Sequence, residues 1–160
     1  MKILTTICFF ILSIGLFGQT ATTYNNEGDK YWNKKDYNLA IAFYTKAINI
    51  EQKALYYYNR GAAKDRLGKY QAAIEDYDKA IWINPNYKFA YSNRGGSKRK
   101  LGQYQAAIED YNKAISIDPN DKLIYNYRGI AKENLGQYQA AIEDYSRTIR
   151  IDPNYKFAYS

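Results

Sequence analysis

The stretch Tyr87–Asn120, YKFAYSNRGGSKRKLGQYQAAIEDYNKAISIDPN, holds two helical patterns in tandem. In its second half Tyr104, Ala107, Ile108, Tyr111, Ala114 and Ile115 recur at intervals of three and four, which places them on one helix face. Leu101-Gly102 ends the first pattern with a residue able to take the left-handed backbone of a helix C-terminus. Asp118-Pro119 breaks the second. The stretch therefore reads as a helical hairpin. At its crossing Gly95 and Ala107 are small enough for close backbone approach, and Tyr91, Tyr104 and Tyr111 fill the surrounding volume.

Near-copies lie on both sides of this unit. Gly61, Gly95 and Gly129 are 34 residues apart, as are Tyr70, Tyr104 and Tyr138, then Ala73, Ala107 and Ala141, then Tyr77, Tyr111 and Tyr145, and Pro85, Pro119 and Pro153. A more divergent copy, one residue shorter, runs through Gly28, Tyr37, Ala40, Tyr44 and Ala47, with Gln52 where the others have Pro. A repeat of this length means stacked helical hairpins, none of which can bury both faces without a neighbour. The fold class is all-α, an α-solenoid.

The order Tyr91, Gly95, Leu101, Gly102, Tyr104, Ala107, Tyr111, Ala114, Pro119, with equivalents in the flanking copies, resembles the tetratricopeptide repeat family. The resemblance covers about four-fifths of the chain. It implies a right-handed superhelix whose first helices line a concave groove and whose second helices form the convex back. The copies are 21–53, 54–87, 88–121 and 122–155, and 156–160 repeats the opening of a first helix. On that reading Phe157 and Tyr159 belong to a fifth hairpin cut short. The departures from the family pattern are Lys64, Lys98 and Lys132 in a column where Tyr is usual, Thr148 for Ala, and Lys35 for the turn Gly.

The beginning of the chain is different in kind. MKILTTICFFILSIGLFGQTA carries one Lys, an apolar run from Ile3 to Phe17, and then small residues, the pattern of a secretory signal peptide over 1–20. The run falls short of the roughly 20 apolar residues of a spanning helix. Cleavage is expected near Gln19 to Thr22, and contact with a membrane only through this segment should it stay uncleaved. The single cysteine, Cys8, would leave with it, and Ile7 is the wrong residue for a lipoprotein box. The mature protein is expected to be exported, periplasmic or extracellular.

Composition narrows the function classes. The 160 residues include no His, and the formal charge is +7. Without imidazole, the commonest general base and metal ligand are missing. Glu75-Asp76 and its copies recur identically, as scaffolding on a helix surface does, and no phosphate loop or nucleophile–base pair is present. Neither enzyme activity nor a cofactor is expected. The densest basic cluster is Lys98-Arg99-Lys100, but acidic residues alternate with the basic ones and the tyrosines sit at core spacing, so nucleic acid is not the expected partner.

One coupled change separates the first copy from the rest. Copies two to four carry Arg60, Arg94 or Arg128, then Lys64, Lys98 or Lys132 four residues on, and Asp76, Asp110 or Asp144 on the second helix. The first copy has Glu27, Tyr31 and Phe43 at those places. Arg and Lys at i and i+4 share a helix face and repel unless an anion lies between them, so each Asp is expected to bridge a pair.

The second helices keep QAAIEDY unchanged in three copies, whereas the first helices vary along the face that the resemblance assigns to the groove. The candidate partner-binding residues are Tyr58, Ser92 and Asn126; Asn59, Asn93 and Tyr127; Ala62 and Ile130, with Gly96 between them; and Asp65, Arg99 and Glu133. They supply aromatic anchors and amides suited to an extended peptide or a partner helix. Family members that clamp acidic chaperone tails use Lys and Asn, then Asn, then Lys and Arg. Here those places hold Asn25 and Asp29, then Asn59, then Phe89 and Asn93, and one of the five matches, so tail clamping is not expected. The expected function is a non-enzymatic exported scaffold that holds a protein or peptide in its groove. The alternative is the docking or sensory region of a larger envelope enzyme or signalling protein whose catalytic part lies beyond residue 160.

Overall fold

The computed structural model describes residues 20–155. The signal-peptide reading, and Phe157 and Tyr159 with it, falls almost entirely outside the described residues. Eight helices and no strands are found among those described. They are α1 (20–33), α2 (Tyr37–Ile50), α3 (Ala54–Arg66), α4 (Tyr70–Ile83), α5 (Lys88–Lys100), α6 (Tyr104–Ile117), α7 (Lys122–Asn134) and α8 (Tyr138–Ile151). Each hairpin packs on the next, and consecutive first helices (α3 with α5, α5 with α7) approach one another more closely than the second helices do. That asymmetry bends the stack toward the first helices, which line its inner side.

The hairpin turns follow the sequence. Gly102 takes φ +75°, which lets its N–H donate to the Arg99 carbonyl and the Gln103 N–H to the Lys98 carbonyl. In the first copy Lys35 adopts the same left-handed turn with φ +61°, at a cost of about 1–2 kcal/mol for a residue with a Cβ. After the second helix, the Asp118 carboxylate accepts from the Asn120 N–H at 3.1 Å, closing the turn around Pro119.

The crossing inside each hairpin is a glycine against a tyrosine ring. A Cβ on Gly95 would sit 2.9 Å from Tyr111 Cε1, and one on Gly28 only 2.5 Å from Tyr44 Cε1. Ala73, Ala107 and Ala141 lie buried at the same level, and Thr148 satisfies its hydroxyl on the Asp144 and Lys122 carbonyls.

Between the two helices of each later hairpin lies the expected ion triad. Arg94 donates from Nε and Nη2 to the two oxygens of Asp110 at 3.0 and 2.5 Å, and Lys98 Nζ reaches the same carboxylate at 2.8 Å. Arg60 and Lys64 hold Asp76 in the same way, as Arg128 and Lys132 hold Asp144. The third guanidinium nitrogen extends each triad to the preceding repeat: Arg60 Nη1 to Thr45, Arg94 Nη1 to Asp78, Arg128 Nη1 to Asn112. This link between repeats was not read from the sequence, although short polar residues at matching places on α2, α4 and α6 signal it. In the first hairpin Tyr31 and Phe43 stack instead, with centroids 5.2 Å apart and an interplanar angle of 11°.

The last hairpin is open on one side. Ile74 and Ile108 are 7% and 6% exposed, while the equivalent Ile142 on α8 is 54% exposed.

Candidate functional site

The inner face of α3 and α5, with Trp32 of α1 and Tyr127 of α7 at its ends, encloses a cavity of about 440 Å³. Of the candidate residues, Tyr58, Ala62, Asp65, Ser92, Asn93, Arg99 and Tyr127 line it. Asn59 borders a neighbouring hollow of about 230 Å³ together with Tyr58, Ala62, Asp29, Trp32 and Tyr44. Asn126, Ile130 and Glu133 line neither. Asn126 is buried at 4% exposure with its side-chain oxygen unpartnered, Ile130 is half-buried, and Glu133 is exposed.

Local sequence explains how these side chains are held. Tyr58 leans on Tyr87, Phe89 and Tyr77, with ring centroids 5.1, 6.5 and 6.1 Å away, and its hydroxyl accepts from Asn93 Nδ2 at 3.3 Å. Asp65 accepts from the Ser97 hydroxyl at 2.6 Å, which ties α3 to α5 at the cavity wall. Arg66, Arg99 and Lys100 oppose the single carboxylate of Asp65, so the cavity is net positive.

Two second-helix residues that the repeat pattern marks as core also reach this space. The rings of Tyr77 and Tyr111 are fully buried, yet both residues line the cavity and neither hydroxyl has a hydrogen-bond partner among the described residues. Tyr77 lies near Asn93 and Asp65, and Tyr111 near Arg99. Burial pushes the Tyr111 hydroxyl up to about 12, against the pull of Arg99, so it stays protonated at neutral pH and can donate. Burial raises Tyr77 as well. Only the choice of Tyr over Phe at a core position could have signalled these residues. Arg99 Nε, too, is buried without a partner.

Three of the chaperone-clamp positions, Asn25, Asp29 and Asn59, are closed on themselves. Asn59 Nδ2 donates to Asn25 Oδ1 at 2.9 Å, Asn25 Nδ2 to Asp29 Oδ2 at 3.2 Å, and the Tyr44 hydroxyl to Asp29 Oδ1 at 2.8 Å. Phe89 is exposed and stands against Tyr58 and Tyr87.

Among solved structures, the chain superposes on the crystal structure of MamA with a TM-score of 0.81 at 29% identity, covering 84% of this chain and 79% of that one. It superposes on the first TPR of Spaghetti (RPAP3) bound to the HSP90 peptide SRMEEVD with a TM-score of 0.73 at 29% identity, covering 74% and 95%. Serine/threonine-protein phosphatase 5 of Rattus norvegicus is 36% identical over 85 residues, 52% of this chain and 17% of the relative. The chain spans less than a fifth of the length of the curated relatives it matches. Models of the tetratricopeptide repeat match residues 21–53, 54–87, 89–121 and 123–155, and with nearly all of the described residues so accounted for, the chain belongs to the tetratricopeptide repeat family.

Proposed function

We propose that this protein is a non-enzymatic scaffold, exported from the cytoplasm, that binds a protein or peptide partner along the inner face of its first helices. The observation that carries this reading is the cavity between α3 and α5, where aromatic rings, an amide and unpartnered donors converge on a space of about 440 Å³. A related fold holding an HSP90 peptide supports a peptide as partner. The closed Asn25–Asp29–Asn59 network argues for a mode other than tail clamping. Six cations of the ladder are already engaged in ion pairs with Asp76, Asp110 and Asp144, which favours a protein over a polyanion.

Export rests on the apolar amino-terminal pattern. Ala21 is fully buried and Thr22 meets the Tyr56 hydroxyl at 3.2 Å, so cleavage at or before Gln19 leaves α1 intact. N-terminal sequencing of the protein from an envelope fraction should return a start close to Gln19; an intact Met1 would contradict export by cleavage.

The groove is tested by capturing partners from an envelope fraction with the purified chain and with its Y58A/N93A/Y127A variant. The variant should lose the captured protein; an unchanged set would overturn the groove. A second reading, the docking region of a larger enzyme, is favoured by the small share of each relative that the chain spans, including a protein named as a phosphatase. A reading frame that continues past Ser160 into a non-repeat domain would select it.

A further inference from the structure

The same tyrosine recurs once per hairpin, as Tyr44, Tyr77, Tyr111 and Tyr145, and its hydroxyl meets two fates. In the first and last hairpins it donates to a carboxylate of its own repeat: Tyr44 to Asp29 at 2.8 Å and Tyr145 to Glu133 at 2.6 Å. In the two central hairpins it has no partner among the described residues. The sequence shows why. Where Asp29 stands, the central repeats have Ala62 and Gly96, and where Glu133 stands they have Asp65 and Arg99. Asp65 is one methylene shorter than Glu133 and is engaged by Ser97. Arg99 reverses the charge.

The molecule thus displays, at its two ends, the group that this hydroxyl takes when one is supplied. At Tyr111 the missing acceptor is matched by a second open donor: the Arg99 guanidinium lies close enough to interact with the Tyr111 hydroxyl oxygen, yet neither the hydroxyl nor the buried Arg99 Nε completes a well-formed hydrogen bond among the described residues. Gly96 leaves room, since a Cβ there would still lie 4.0 Å from the Tyr111 hydroxyl oxygen. A buried donor without an acceptor carries the full desolvation cost of the group, so two of them in one cavity mark a place completed by something else.

We infer that the Arg99–Tyr111 pair is a subsite for a carboxylate side chain of the partner, an acidic residue carried by an extended segment lying in the groove. This rests on the groove reading and deepens it. The carboxylate takes the place in the third repeat that Glu133 fills in the fourth, accepting from the Tyr111 hydroxyl and from the Arg99 guanidinium. The subsite is distinct from the clamp positions, of which Asn25, Asp29 and Asn59 are closed by their own hydrogen bonds. Tyr77 is excluded as a second such subsite because Asp65 stands next to it and repels an anion, which makes Tyr77 an internal control.

The test is a solution NMR titration that follows the Arg99 Nε–H resonance. The probes are a blocked alanine-serine octapeptide with one central glutamate, its glutamine counterpart and its phosphoserine counterpart. The glutamate peptide should shift the resonance to saturation, and the glutamine peptide should bind at least about tenfold more weakly, as expected for loss of a charge-assisted hydrogen bond. R99Q should weaken the glutamate peptide by a similar factor, Y111F by about three- to tenfold, and Y77F by less than twofold. Because the open hydroxyl contributes nothing to the free fold, Y111F should leave the melting temperature of the free chain unchanged or raised. Equal binding of the glutamate and glutamine peptides, tighter binding of the phosphoserine peptide, no binding of any peptide, or a melting temperature lowered by several degrees in Y111F would each overturn the subsite. Partner capture that is lost in Y58A/N93A/Y127A but retained in R99Q would leave the groove standing and remove the subsite alone.

Discussion

Arg94 and Arg99 lie five residues apart on α5 and face opposite circumstances. Arg94 is wrapped by Asp110 and Asp78, with Lys98 sharing the Asp110 carboxylate. Arg99 lines the cavity with its Nε unpartnered. One helix therefore has a face whose charges are fully matched within the chain and a face whose donors are left open. The Arg–Lys–Asp triad of that face repeats in α3 and α7, with the neutral Thr45 and Asn112 in place of Asp78; the open face does not repeat. The difference teaches which charges hold the hairpins together and which are held out for a partner. The first repeat adds that the matched face needs good packing and not ions as such, since a Tyr31–Phe43 stack fills the triad's place.

The comparison breaks most visibly at Asp110. Asp110→Asn leaves the largely buried Arg94 and Lys98 without their shared anion, Arg94 keeping only the exposed Asp78, and removing one partner of a buried pair costs about 3–5 kcal/mol. Denaturant unfolding of D110N should show a loss of that order, and R94L/D110N should recover part of it. Simple additivity of the two single losses would contradict a coupled triad.

Next is Gly95→Ala, which drives a methyl to 2.9 Å from the Tyr111 ring. Thermal unfolding should register about 1–3 kcal/mol, the usual cost of overpacking.

Alkaline pH probes the buried tyrosines that both faces share. Burial lifts Tyr87 and Tyr111 to about 12, above the ordinary value near 10, so the folded state keeps protons that the unfolded chain releases. Stability is therefore level in this respect below about pH 10 and falls as pH rises toward 12, at roughly 1.4 kcal/mol per pH unit for each such group. In Y111F the decline should be shallower by about one proton; an unchanged slope would mean that Tyr111 titrates alike in both states.

The smallest effect belongs to the open face. Arg99→Gln removes a charge that has no ion-pair partner among the described residues, so stability should stay within about 0.5 kcal/mol. A loss as large as that of D110N would erase the distinction between the two faces.

Much of this was legible in the sequence because the repeats act as internal controls. Periods of three and four within a unit, with Gly at the turn and Pro after the second helix in copies two to four, dictate hairpins and their stacking. The substitution of Glu27, Tyr31 and Phe43 as a set exposed the triad, since residues that change together across copies occupy one place. The groove was less legible. Tyr58, Asn93 and Tyr127 could be picked out by variation along a helix face, but Asn126 varies in the same manner and is buried. Variation marks where packing does not dictate identity, which includes half-buried positions as well as open ones. Tyr77 and Tyr111 were hidden for the opposite reason: their rings obey the core pattern, and only the last atom of the side chain belongs to the site.

The most direct test of the division between the two faces is amide chemical-shift mapping of the chain with the partner recovered by capture. The account predicts perturbations concentrated on the inner side of α3, α5 and α7, with Asn93, Gly96, Arg99 and Tyr127 foremost and the outer surfaces of α4 and α6 unmoved. Perturbations centred on the outer surfaces of α4 and α6, with Gly96 and Arg99 silent, would contradict it.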